Sequence, residues 1–150
     1  MVARANTSPD LSTAELDAWR GMLRVHAAVT RELDAELAAQ HALPLSSYEV
    51  LMTLAAHPGG AMRMSELADG VLLSRSGLTR LVDRLGRNGL VRRRACPGDA
   101  RGQLAELTPE GRRIFEHARA THLDGVRRRF LSRLSPEELE QLAAVWHRVL

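Results

Sequence analysis

The most constraining stretch of this chain lies in its middle. Ser65 caps a short helix that runs through Gly70, and Val71-Leu72-Leu73 follows. Ser74 then caps a second helix with Leu78, Leu81, Val82 and Leu85 on one side. Asn88-Gly89 ends it, because glycine takes up the left-handed conformation after a helix at little cost. A three-residue connection fits the turn of a helix-turn-helix. In that motif the second helix enters the major groove, with its N-terminal residues at the base edges. Two short extended segments come next, residues 90–95 and 103–107. Cys96-Pro-Gly-Asp-Ala-Arg-Gly102 between them is rich in turn formers, so the pair reads as a β-hairpin.

The flanks read as helices. A chain of 150 residues makes one domain and buries enough surface to fold without a disulfide or metal. Its residues are 45% hydrophobic but only 3% aromatic, so the core is built from Leu, Val, Ala and Met, which suits helix packing. The first ten residues are polar and expected to fray. Ser12 with Glu15 forms a capping box, followed by a stripe of Leu16, Trp19, Leu23, His26, Thr30, Leu33 and Leu37. Pro44 ends that helix. Ser46 with Glu49 reads as a second capping box, for a helix carrying Val50, Leu51 and Leu54, and His57-Pro-Gly-Gly60 as a loop. Thr108 and Pro109 open a helix striped with Phe115, Ala118, His122, Val126 and Phe130. Ser135 caps a last helix with Leu139, Leu142, Val145, Trp146 and Val149 inward. The expected fold class is mainly α with a small β-hairpin wing, a winged helix-turn-helix.

Several classes of function drop out. There is no apolar run near 18 residues and no secretory h-region, so a soluble cytoplasmic protein is expected. The single cysteine, Cys96, excludes an internal disulfide and a CxxC knuckle. His57, His117, His147 and Cys96 show no close ligand pairing, so neither a metal nor another cofactor is expected. GxSxG, GxxxxGK[ST] and HExxH are all missing, and no enzyme is expected.

All 21 basic side chains are arginine, which is first of all a matter of codon usage in a GC-rich genome. Their placement says more. Residues 1–60 carry four Arg against seven Asp/Glu, a balance of −3. Residues 61–113 carry eleven against six, or +5, and residues 114–150 six against five, or +1. The basic middle coincides with the helix-turn-helix and hairpin, as a nucleic-acid-facing module requires. With the leucines inward, the second helix turns Arg75, Ser76, Thr79, Arg80, Asp83, Arg84 and Arg87 outward. Arginine forks grip guanine edges bidentately, so Arg75 and Arg80 are the candidates for base contacts. Ser76 and Thr79 suit bases or phosphates, and Ser74, Ser76 and Gly77 are small enough for close approach to the duplex. Each arginine also has an ordinary alternative, since Arg80 and Arg87 stand three and four residues from Asp83. On the hairpin, Arg92, Arg93 and Arg94 lie on the first strand and Arg101 at the tip, suited to a narrow minor groove. Asp99 in a DNA-facing loop repels phosphate unless it orients a guanidinium, so it is expected to pair with one.

Ser65-Glu-Leu-Ala68, Leu73-Ser-Arg-Ser-Gly-Leu-Thr-Arg-Leu-Val-Asp-Arg-Leu85, Gly89-Leu-Val91, Asp99-Ala-Arg101 and Leu107-Thr-Pro-Glu-Gly-Arg112 together resemble the MarR family of bacterial transcriptional regulators. The resemblance spans about residues 11–150 and is most specific over 65–112. It implies a winged helix-turn-helix homodimer on a pseudo-palindromic double-stranded DNA operator, with helices over 11–44 and 108–150 forming the dimer and 45–107 binding DNA. It implies a repressor that a small lipophilic or phenolic ligand releases. By the same resemblance Ser65, Ser74, Arg75, Ser76, Gly77, Thr79, Arg80, Arg84, Arg94, Asp99 and Arg101 contact DNA, with Arg101 as the minor-groove finger. Two positions depart from the common pattern: Gly86, at a propensity cost of about 1 kcal/mol, and Arg92, where an acid is usual.

Dimerisation also follows from size, because a winged helix of about 60 residues cannot cover both amphipathic terminal stripes. Polar groups on otherwise apolar faces suit a small-ligand pocket, and Trp19, His26, Thr30, Tyr48, Met52 and His122 are its candidate lining. The other reading makes the two histidines satisfied core or interface residues. Cys96, close in sequence to Arg92, Arg93 and Arg94, is either a plain turn residue or a redox trigger. The remaining rival is a winged-helix protein-interaction module, which has no need of a basic groove face.

Overall fold

A computed structural model describes residues 10–71 and 73–150, with the backbone alone at 100 and 101. Helix α1, Thr13–His41, opens on the expected capping box: the Glu15 N–H donates to Ser12 Oγ at 3.3 Å and the Ser12 N–H to Glu15 Oε2 at 2.7 Å. It closes on a left-handed C-terminal cap. Ala42 is left-handed at φ +50°, its N–H reaches Ala38 O at 3.1 Å, and the Leu43 N–H reaches Leu37 O at 3.4 Å.

Helix α2, Leu45–Ala56, starts one residue before the expected Ser46 cap, with Pro44 in the cap position and no side-chain cap bond there. The second capping box therefore does not form. A carboxylate from α1 takes its place: Asp34 Oδ1 accepts the Leu45 N–H at 2.7 Å. A 3-10 turn over Pro58–Gly60 leads into β1, Ala61–Arg63, a strand that the sequence reading did not anticipate. Helix α3, Met64–Gly70, begins directly after it. Arg63, not Ser65, holds the cap position, and no side chain caps this helix. Here the strand, not a hydroxyl, sets where the helix begins.

Val71 and Leu73 bridge to helix α4, Arg75–Arg87; Leu72 lies outside the described residues, as does the expected frayed start over residues 1–9. Strands β2, Val91–Cys96, and β3, Asp99–Leu107, form the hairpin. The sheet is antiparallel in the order β1-β3-β2, so the wing is three-stranded. The reverse turn is tighter than expected, with only Pro97 and Gly98 between the strands and Gly98 at φ +78°. Ala95 pairs with Gln103 but Cys96 with Asp99, so residues 100–102 are extra length on β3 at the tip.

Helix α5, Pro109–Arg129, is capped by Thr108, whose Oγ accepts the Gly111 N–H at 2.9 Å and donates to Gly89 O at 2.7 Å. A Cβ at Gly111 would stand 2.0 Å from Leu90 O, so only glycine lets α5 leave the sheet this closely. A 3-10 turn, Leu131–Arg133, joins α5 to α6, Pro136–Val149, which has the expected Ser135 cap.

The core gathers α2, α3, α4, α5, the sheet and the C-terminal half of α1. Leu33 and Leu37 are buried, whereas Trp19 and Leu23 on the same stripe are 54% and 47% exposed. The inward face expected for α6 is not covered within the chain. Leu139, Leu142 and Val145 are half-buried, and Trp146 and Val149 are exposed.

Candidate nucleic-acid interface

Helix α4 is held by Leu78, Leu81, Val82 and Leu85, all buried. Each contributes about 1.5–3 kcal/mol relative to an exposed side chain. That leaves its other face free to be polar. Ser74 Oγ accepts the Gly77 N–H at 3.1 Å and fixes the first turn. Arg75, Ser76 and Arg80 are exposed, and neither arginine forms an ion pair among the described residues. Thr79 is exposed, with its hydroxyl donating back to Arg75 O at 2.9 Å. The ordinary alternative for Arg80 and Arg87 does not hold, because Asp83 is taken by Arg93 from the wing at 2.8 Å. Arg84 behaves differently from its neighbours. Its Nη2 donates to Ser47 Oγ at 3.3 Å, and Ser47 is a buried hydroxyl on α2.

A cleft of about 290 Å3 opens beside the start of α4. Ser65, Arg75 and Thr79 line it together with Arg63 and, from the wing, Gly102 and Gln103. The structure thus brings three of the anticipated residues to one place and adds Arg63, which the sequence reading missed. Arg63 is also the partner of Asp99, Nη1 to Oδ2 at 3.1 Å, so the acid does pair with a guanidinium as expected. The bond comes from β1, across the sheet from the tip. Arg63 is pushed above the usual arginine range, by that bond first and by nearby Cys96 next.

Strand alternation separates the three wing arginines. Arg92 grips Glu106 with two bonds, Nε to Oε2 at 2.8 Å and Nη2 to Oε1 at 2.9 Å, and Arg94 adds one at 3.1 Å. These bonds hold the Glu106 carboxyl down to about 2. Arg93 points to the opposite face, onto α4. The side chain of Arg101 lies outside the described residues.

The candidate effector residues fall into two groups. Tyr48, fully buried, stacks on His122 with ring centroids 4.4 Å apart and tilts against Phe115 at 5.5 Å. Burial pushes the Tyr48 phenol up and the His122 imidazole down. His122 Nδ1 is buried without a partner among the described residues. Elsewhere, burial raises the Glu49 carboxyl, offset in part by nearby His26. Thr30 Oγ1 donates to His26 O at 2.7 Å, so it serves α1 itself. Trp19 and Met52 are exposed. Cys96 is a half-buried free thiol opposite Asp99 in the hairpin. Arg63 is its electrostatic neighbour, and Arg92, Arg93 and Arg94 are engaged elsewhere. Among the described residues no His, Cys, Asp and Glu come together in a group that would hold a metal, and no helix is long and apolar enough to cross a membrane.

Residues 43–102 match the family model described as MarR family. AbsC, a MarR family transcriptional regulator from Streptomyces coelicolor, is 34% identical in structural alignment, covering 95% of each chain with a TM-score of 0.87. Sco3205, a MarR family regulator from the same organism crystallised in complex with DNA, is 36% identical over 96% of this chain and 91% of its own, with a TM-score of 0.88. The transcriptional regulator PecS of Dickeya dadantii (strain 3937) is 29% identical over 145 residues, 96% of this chain and 86% of its own. The chain belongs to the MarR family of transcriptional regulators and has their winged-helix DNA-binding fold.

Proposed function

We propose that this protein is a sequence-specific double-stranded DNA-binding repressor. It acts as a homodimer on a pseudo-palindromic operator. The observation that carries the reading is the outer face of α4: Arg75 and Arg80 exposed and unpaired among the described residues, on a helix whose opposite face is locked in the core. Guanidinium groups left free of intramolecular acids are available to guanine edges and phosphates. The Sco3205 complex with DNA supports it. Ser65, Ser74, Ser76, Gly77, Thr79, Arg84, Arg94, Asp99 and Arg101 complete the proposed surface. Within it Arg84, Arg94 and Asp99 hold internal contacts as well. The exposed half of the α1 stripe and the uncovered face of α6 form the dimer contact, because apolar surface of this extent is otherwise left in water.

Release from DNA is the effector's role. We assign a small lipophilic or phenolic ligand to the region where Tyr48, Phe115 and His122 pack together between α2 and α5, where it would have to part the rings, with the unpartnered His122 Nδ1 as the polar handle.

The test is fluorescence anisotropy with a duplex selected by the protein from a random-sequence library. Arg75→Ala and Arg80→Ala each weaken binding by about ten- to a hundredfold and relax base preference at one position. Unchanged affinity and preference in both variants would overturn the assignment of α4.

A further inference from the structure

Asp83 and Arg93 form the least expected pair in the interface. Asp83 is an acid on the outward face of a helix whose other outward charges are all arginine. It ignores the neighbours three and four residues away and binds the wing. Arg93 Nη2 reaches Asp83 Oδ1 at 2.8 Å and the Thr79 carbonyl at 3.4 Å, while Nη1 donates to Gln103 Oε1 at 2.8 Å. One planar guanidinium thus touches α4 at two points a turn apart and β3 at a third, from its own place on β2. The planar fork reaches these separated acceptors from two nitrogens at once, whereas a lysine has a single nitrogen. The salt bridge is half-exposed, with side chains 33% and 47% accessible, so its direct worth to stability is small. Its geometric effect is larger, because two rigid elements that address different parts of a duplex are pinned to one another.

We propose that Arg93 and Asp83 are positioning residues for operator recognition. The clamp sets the distance and angle between α4 and the wing, and so the spacing at which both engage one duplex. This rests on the DNA-binding reading above. It makes a prediction of unusual sign. Removing an acid from a DNA-facing helix relieves repulsion of phosphate, so on electrostatics alone Asp83→Asn tightens binding to every duplex. With the clamp broken, the wing is no longer held in register with α4, and the selected sequence loses its advantage.

The experiment compares a duplex selected by the wild-type protein with a random-sequence duplex of equal length, by anisotropy at fixed salt. For Asp83→Asn the expected result is about tenfold weaker binding to the selected duplex, the scale of one mismatched base pair, with binding to the random duplex unchanged or tighter. Arg93→Gln reproduces the fall in selectivity, and Arg93→Lys restores little of it. If Asp83→Asn binds the selected duplex as tightly as the wild type, or more tightly, the proposal is overturned. Equal losses on both duplexes also overturn it, since they denote damage to the fold. A wild-type protein that selects no duplex overturns the DNA-binding reading itself, before any variant is made.

Discussion

The chain has arginine and no lysine, and three neighbouring arginines show how differently one residue type is used. Arg92 and Arg94 share Glu106, Arg93 crosses to α4, and all three stand in a row of like residues in the sequence. The row alone reads as a basic strip for DNA. Alternation along the strand was the available signal that Arg93 faces away from the other two, but its partner Asp83 lies ten residues earlier, on a helix, and only tertiary packing brings them together. Arg84 and Ser47 are the same lesson across a longer separation. Glu106 gives a test at this scale. Its carboxyl is held down to about 2, against 4.5 unperturbed. A lowered folded-state value means that the unfolded chain binds the proton more readily, so stability from these three bonds is present above pH 4.5 and is lost as pH falls towards 2. Wild type is therefore expected to melt above Glu106→Gln at pH 7, with the difference closing between pH 4.5 and 2. A difference that persists unchanged to the acid end would contradict this account of the pair.

Elements were legible where local chemistry decides them. Ser12, Ser74, Thr108 and Ser135 cap as expected, because each hydroxyl precedes a free N–H and no competing geometry intervenes. Ser46 and Ser65 had the same local pattern and failed. At α2 a carboxylate from another helix supplies the cap, and at α3 a preceding strand dictates the start. That strand, β1, has three residues and no alternation of its own, so it exists only through pairing with β3. Between α2 and α5, polar groups on apolar helix faces point to Tyr48 and His122 separately, and only packing stacks them. Burial favours the neutral imidazole of His122, so its folded-state value lies below the usual 6.5. Stability tied to it is full above pH 6.5 and falls as pH drops through the folded value. His122→Gln removes that component. Between pH 7.5 and 5 the melting temperature of the wild type is expected to fall further than that of the variant. Parallel curves would show that His122 stays hydrated and free to charge, and would remove it from the proposed effector site.

On the scale of the whole molecule, the chain leaves apolar side chains on α1 and α6 exposed. Trp19 and Leu23 on α1 and Val149 on α6 lie on apolar stripes that the sequence shows, but the α6 stripe, expected to face inward, is not covered by the single chain. A periodic stripe records that a face is apolar but not whether its partner is the same chain or a second copy. The proposed two-fold dimer would bury those faces and place two α4 helices side by side on one duplex. The base preferences of duplexes that the protein selects from a random library test this most directly. Two inverted half-sites are expected, with centres about one helical turn, roughly 10 base pairs, apart, bound by a species of twice 16.6 kDa. A single half-site bound by one copy, or selected duplexes with no shared sequence, would contradict it.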